Sequence, residues 1–391
     1  MTAGARPALA PGTTEAAHLP VGVRALLAVA LLFFFLVGVK GLGDGFNLLG
    51  RDLLGAFFAA TANPFVGLAV GVLATTLVQS SSVTTSMIVG LVASPESPLP
   101  VAHAVPMVMG ANIGTTVTNT IVSLAHMGHR DEFHRAFSVA TCHDFFNFIS
   151  VAVLLPVELA TGYLERGAGA LAERIGGLGG SDFDSPIKVA IGAGLAPAKA
   201  LAGRFTDTER GAGVVLIAIS GALIVGALMM LVRTMKSLMQ RRVEEAVHRF
   251  LGARALLAMA IGALVTVMVQ SSSITTALLV PLAGAGMVSI QQAFPITVGA
   301  NVGTTVTALL ASLAMSGANA ASGVHIALVH LLFNVSGTIL VYATPWTRRL
   351  PIVAAEWLAR QALHSRRWAL LYVAILFYAV PALLAVAYNR L

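Results

Sequence analysis

Two nearly identical polar strings interrupt the most apolar parts of this 391-residue chain: "TLVQSSSVTT" at 76–85 and "VMVQSSSITT" at 267–276. Each sets a glutamine and three serines where a membrane helix would carry leucines. Amides and hydroxyls buried without partners are costly, so a pattern that keeps them twice points to a ligand or a chain break. Ser, Thr and Gly compete with the helix for its backbone hydrogen bonds. Each QSSS string is therefore expected to form the tip of a re-entrant hairpin or a broken helix. Two further strings, "GANIGTTVT" at 110–118 and "GANVGTTVT" at 299–307, are expected to break two more helices. Such breaks expose N–H groups at helix starts, which attract anions. They also expose carbonyl oxygens, which with Gln and Thr oxygens ligate a hard cation such as sodium. The chemistry on offer is binding of an oxyanion with a cation, without a fixed charge. A dianion there carries a large desolvation cost that co-bound cations offset. Coupling to sodium fits; the pattern alone leaves protons open.

The elements that position these strings must lie in a membrane. The chain is 57% hydrophobic and 10% charged, with a mean hydropathy of +0.85, against roughly 25% charge in soluble domains. Residues 255–347 contain no Asp, Glu, Lys or Arg, far more than the ~20 residues of one crossing. The chain reads as an all-α, multi-pass protein of the cell (cytoplasmic) membrane, in contact with the lipid bilayer. The net charge of +7 comes from loop arginines such as Arg233, Arg241, Arg242, Arg249 and Arg254. Basic loops of this kind are usually cytoplasmic, which argues against a nucleic-acid partner. A single cysteine, Cys142, excludes an internal disulfide. Residues 1–20 show no arrangement of charged, apolar and cleavage regions of a signal peptide and read as a disordered tail.

Three anchors recur in order. "QSSSVTTSMIVGLVA" (79–93) matches "QSSSITTALLVPLAG" (270–284) at 8 of 15 positions, "GANIGTTVT" matches "GANVGTTVT" at 8 of 9, and "HDFFN" (143–147) pairs with "HLLFN" (330–334). They divide the chain into a first membrane helix (21–44), a repeat unit (45–160), and an interfacial segment, short loop and linking helix (161–239). A second repeat unit (240–345) and a final loop and membrane helix (346–391) follow. Duplicated units are the signature of secondary transporters, whose sites form at the repeat interface. Tight helix packing through small residues accounts for Gly67, Gly71, Gly262 and Gly286, but not for bulky amides at Gln79 and Gln270.

The strings "PMVMGANIGTTVTNTIVSL", "FHRAFSVATCHDFFNFISVAVLLPVELATGYL" and "VQSSSITTALLVPLAGAGMVSIQQAFPITVGANVGTTVTALLASLA" resemble the type II sodium-dependent phosphate cotransporters, as does the tail "YATPWTRRLP". The resemblance runs from about residue 42 to the C-terminus and implies a compact microbial member. It implies sodium-coupled import of inorganic phosphate by alternating access, through two inverted repeats with re-entrant hairpins, using sodium as coupling ion and no cofactor. It assigns phosphate to Ser80, Ser81, Ser82, Ser271, Ser272 and Ser273, with Gln79, Asn112, Thr115 and Asn301 beside them. The implied sodium set is Gln270, Ser271, Thr304 and Thr307 with the backbone near Val267. In the first unit Gln79, Asn112, Thr115 and Thr118 are equivalent by symmetry, which leaves their role open, with Gln79 and Thr118 further sodium candidates. Two departures stand out. A serine of animal members is Ala300 here, a sodium position without its hydroxyl. An aspartate tied to the additional sodium of electrogenic members falls at His129, which implies a neutral cycle of two sodium ions per divalent phosphate, unless nearby Asp131 or Asp144 takes that aspartate's place.

The surrounding polar residues read as a second layer: Asn119, His129, His143, Asp144, Asn147, His330 and Asn334. Asp144 is the lone acid of 136–156; intramembrane carboxylates are functional candidates, and pairing with Arg135 is equally open. For His143, His330, Asn147 and Asn334, matched between units, interhelical hydrogen bonding is favoured over substrate contact. His103, His126 and His325 lack ligand spacing, so no metal beyond sodium is expected. Trp346, Trp357 and Trp368 fit an interfacial belt. No nucleophile–base arrangement or phosphate loop indicates an enzyme. Symport of another oxyanion or small carboxylate is the alternative, and an intramembrane enzyme or a channel lies further off. The basic loop at 348–367 suggests a cytoplasmic side, whereas the family pattern implies the opposite one.

Overall fold

The computed structural model describes residues 20–48, 59–95, 98–178, 186–250, 254–315 and 319–388. The tail expected at 1–20 lies outside them except for Pro20. All regular structure among the described residues is helical. Among the described residues six helices are long and apolar enough to cross a membrane, while four shorter apolar ones form two hairpins.

The first hairpin joins α1's follower, α2 (Pro64–Val78), to α3 (Ser81–Val92), where α1 is Val21–Leu48. Helix α4 (Val101–Thr115), α5 (Val117–Leu124) and α6 (Arg130–Thr161) complete that unit. Two helices, α7 (Tyr163–Leu178) and α8 (Pro186–Phe205), lead into α9 (Glu209–Phe250). The second hairpin runs from α10 (Ala255–Val269) into α11 (Ser272–Ala277) and α12 (Leu279–Gly284), then α13 (Ile290–Ser312) and α14 (Ala320–Tyr342). The chain ends with α15 (Pro345–His364), α16 (Arg366–Val373), a π-helical stretch (Ala374–Ala379) and α17 (Val380–Tyr388). Pro381, which has no N–H to donate, follows that π stretch.

The two hairpins are built alike. Asn63 caps α2, its side chain accepting from Phe65 N and Val66 N, and Pro64 occupies the first helical position. At 15 residues, α2 and α10 each reach about 22 Å at 1.5 Å per residue, short of the ~30 Å hydrocarbon core. Helix α2 crosses α4 and α10 crosses α13 at equivalent glycines. A Cβ on Gly71 would strike the carbonyl oxygen of Met107, and one on Gly110 that of Leu68. In the second unit Gly262 meets Ile296 O and Gly299 meets Met259 O in the same way. The backbones touch there, and only glycine fits. Gly71 and Gly262 thus act as the packing residues expected; Gly286, with φ of 76°, is a turn residue instead.

The expected breaks are corrected in part. Helix α4 ends at Thr115 and α5 restarts at Val117, so the first GANIGTTVT string does break, at Thr116. The second string lies inside the continuous α13. There Thr304 donates to Ala300 O and Thr305 to Val302 O, so both hydroxyls bond back along an intact helix. The second unit loosens elsewhere, at Leu278, which keeps right-handed helical backbone and its bond to Ile274 O. Pro281 causes it: it cannot donate to Ala277 O, and its ring crowds that carbonyl. Gly90, the equivalent residue, leaves α3 unbroken. Helix α9 also continues through residue 240, where the second unit is expected to begin.

Helix α1 packs along α9, and α15 against α6. Across the units, α13 packs on α3, α11 on α5, and α14 on α4 and α6. One apolar core, with Val83, Val89, Val108, Ala308, Ala311 and Phe333, spans both units.

Candidate functional site

Each QSSS string folds as a helix end, a left-handed turn and a new helix start. Gln79 (φ 57°) and Gln270 (φ 58°) are the two non-glycine residues with positive φ among those described. Left-handed backbone is uncommon for such side chains, and here it ends each helix at its C-cap. Each glutamine offsets the strain by bonding back. Gln79 donates its Nε2 to Thr76 O and accepts the Thr118 hydroxyl at 3.0 Å. Gln270 donates to Val267 O and accepts the Thr307 hydroxyl at 3.2 Å. The equivalent residues thus make equivalent bonds, and each turn is pinned to the GANxGTTVT helix of its own unit.

Extended Ser80 and Ser271 then cap the new helices, accepting from Val83 N and Ile274 N, each at 3.3 Å. Beyond the caps the first amides of α3 and α11 have no acceptor within their helices. Ser81, Ser82 and Ser272 are buried and Ser273 half-buried. Ser82 Oγ reaches Thr307 Oγ1 of the other unit at 3.4 Å. Ser81, Ser272 and Ser273 make no side-chain hydrogen bond among the described residues, leaving hydroxyls free to donate. Thr115 and Thr304 bond back to Ala111 O and Ala300 O. Ala300 is buried in the same helix with no side-chain oxygen.

The centre is a relay of amides crossing between the units. Asn334 donates its Nδ2 to Asn112 Oδ1 at 3.1 Å, and Asn301 donates to Asn147 Oδ1 at 2.9 Å. Asn112 and Asn147 belong to the first unit, Asn301 and Asn334 to the second, so each matched pair bonds the opposite unit. Asn147 Nδ2 also donates to Asn112 O at 3.1 Å. His143 Nε2 lies 2.7 Å from Asn301 Oδ1, and its Nδ1 3.4 Å from Asn119 Nδ2. An acceptor on one side and a donor on the other suit the tautomer with its proton on Nε2. Asn119 pairs with Thr276 of the other hairpin at 2.7 Å. Interhelical bonding thus accounts for His143, Asn147 and Asn334. It does not account for His330, whose two ring nitrogens are buried without a partner.

Asp144 is fully buried. Its Oδ2 accepts from Thr120 at 3.0 Å and Tyr372 at 2.8 Å; its Oδ1 is buried with no partner. The pairing with Arg135 is not made: Arg135 donates to Ala283 O and Gly284 O, capping α12. His129 is not a second-layer residue either. It sits at the start of α6, its side chain 79% exposed and 3.9 Å from Glu132. Among the described residues no three His, Cys, Asp or Glu gather as a metal site.

Thr276, Thr120 and Tyr372 are members of the centre that the sequence reading missed. Thr276 stands in the "SSSITT" string itself. Tyr372 lies 228 residues from Asp144, with no local pattern to announce it. Taken together, the residues offer neutral donors for a tetrahedral oxyanion, oxygens for a hard cation, and one carboxylate.

Six membrane-length helices among the described residues, together with a duplicated pair of polar hairpins, define a polytopic α-helical membrane protein. The family model described as "Na+/Pi-cotransporter" matches residues 34–167 and 223–354. The chain belongs to that family. It is 34% identical to the human sodium-dependent phosphate transport protein 2B, over 92% of this chain and 64% of that protein. It is 36% identical to the rat sodium-dependent phosphate transport protein 2A, over 93% of this chain and 68% of the relative. The chain thus spans about two thirds of the length of these relatives. No solved structure matches it significantly.

Proposed function

We propose that this chain imports inorganic phosphate across the cell membrane together with sodium, by alternating access between two inverted units with re-entrant hairpins. The observation that carries the reading is the crossed amide relay, in which Asn112–Asn334 and Asn301–Asn147 bind opposite units. A site held by both halves changes accessibility when the halves rock. Membership of the Na+/Pi-cotransporter family and relatives named for sodium-dependent phosphate transport support the substrate pair.

In this reading phosphate takes the free hydroxyls of Ser81, Ser272 and Ser273 and the first amides of α3 and α11. Ser80, Ser82 and Ser271 shape the turns, and Gln79, Asn112, Thr115 and Asn301 form the wall. Sodium takes Gln270 Oε1, Thr307, Thr304, Ser271 and Val267 O, with Ala300 contributing no hydroxyl; Gln79 and Thr118 offer an equivalent pair. Asp144, with an unpartnered oxygen, offers a carboxyl group where His129 cannot. Sodium is the coupling ion, and no further cofactor takes part.

The test is equilibrium binding of labelled phosphate to purified protein in sodium, with competitors. Arsenate, an isosteric tetrahedral oxyanion, is expected to displace it, and sulfate and succinate to do so poorly. Displacement by succinate as effective as by arsenate would move the substrate to the small carboxylates.

A further inference from the structure

The amphipathic helix α15 presents two apolar faces. Pro351, Ala355, Leu358, Ala359 and Ala362 are buried, and α15 lies against α6. Trp346, Leu350, Val353 and Trp357 recur at intervals of four, three and four residues, and all are more than half exposed. That spacing is one stripe of a helix. Between the two faces opens a cavity of about 530 Å³, walled by the starts of α10 and α13, the end of α14 and one flank of α15. Arg348, Arg349, Glu356 and Gln291 supply its charged and amide side chains, and Phe294 and Tyr342 its aromatic ones. The Arg348 guanidinium stands 6.0 Å from the centre of the Tyr342 ring. Neither arginine forms an ion pair among the described residues. Two arginines against one glutamate leave the lining with a net charge of one positive.

We infer that this cavity binds the headgroup of a phospholipid that carries a hydrogen-bond-donating group, with its acyl chains along the Trp346–Trp357 stripe. The guanidinium fork suits a phosphodiester. Glu356 and Gln291 offer acceptors for a glycerol hydroxyl or a primary ammonium, which choline lacks. The exposed stripe beside the cavity chooses a lipid over a free anion, because soluble phosphate has nothing to lay on it. Aromatic side chains at such a level are the usual anchors at a membrane–water boundary. The inference does not depend on what the protein transports.

Binding of dioctanoyl phosphatidylglycerol, phosphatidylethanolamine and phosphatidylcholine, and of inorganic phosphate, to the purified full chain tests it by native mass spectrometry and thermal shift. The first two are expected to bind more tightly than phosphatidylcholine, and Arg348→Gln/Arg349→Gln to weaken both by roughly tenfold while inorganic phosphate binds as before. Unchanged lipid affinity in the double variant would overturn the assignment. Loss of inorganic phosphate affinity in step with lipid would overturn it too, making the cavity a soluble-anion site. Should the double variant not fold, Gln291→Leu decides, its position being exposed. A reduced preference for phosphatidylglycerol over phosphatidylcholine supports the site, and an unchanged preference contradicts it.

Discussion

At the scale of single residues, Gln79 and Gln270 each serve as a turn and as a ligand, and substitutions separate the two uses. Glycine adopts positive φ freely, whereas a residue with a Cβ costs about 1–2 kcal/mol there, a cost the native glutamine offsets with its side-chain bonds. Gln270→Gly is therefore expected to melt close to the parent yet need more sodium for phosphate binding, since Thr307 loses its acceptor. Gln270→Val is expected to lose the sodium response and to be about 1–2 kcal/mol less stable than Gln270→Gly, read by thermal melting. Equal stability of the two would mean that the left-handed turn is not formed. The amide relay makes a second test. Asn301→Leu orphans Asn147 Oδ1 and His143 Nε2, each at about 1–3 kcal/mol, so it is expected to destabilise more than Ser273→Ala. These residues were legible because they repeat. What stayed hidden was their conformation: neither sequence string says that its glutamine, rather than a serine, takes the left-handed position.

At the scale of elements, the glycines of GANIGTT and GANVGTT read as breakers and are contact points. Gly110 and Gly299 lie inside helices because a neighbouring helix touches their backbone, and a single sequence does not distinguish a glycine that breaks from one that packs. Gly299→Ala gains roughly 1 kcal/mol of helix propensity. It also drives a Cβ into the carbonyl of Met259, and overpacking costs about 1–3 kcal/mol or more where rigid backbone is struck. Overpacking wins, so the variant is expected to melt lower; a rise in melting temperature would show that α10 and α13 do not cross here. Pro281 carried a clearer signal. Its place in the helix after the second QSSS turn accounts for the loosening at Leu278, where the first unit has Gly90.

At the scale of the whole molecule, the duplication, the membrane setting and the two polar hairpins could be read from composition and repeats. The crossing of the amide pairs and the link from Asp144 to Tyr372 could not, since both join segments far apart in sequence. Asp144 sets the competing expectation for charge movement. The neutral cycle rested on His129, which is exposed at the surface, whereas Asp144 is a buried carboxylate with a free oxygen. Were Asp144 to ionise as a cation binds, it would suit an additional sodium and inward movement of positive charge. Phosphate uptake by proteoliposomes clamped with potassium and valinomycin is expected to quicken as the interior becomes negative, and Asp144→Asn to flatten that response. A flat response in the parent protein would return the cycle to neutrality.

The most direct measurement of the central claim is accumulation of labelled phosphate in proteoliposomes under an imposed inward sodium gradient. The account predicts saturable uptake that overshoots equilibrium, collapses when potassium or choline replaces sodium, and needs more sodium in Thr307→Val. Undiminished accumulation in sodium-free buffer, driven by a proton gradient alone, would contradict it.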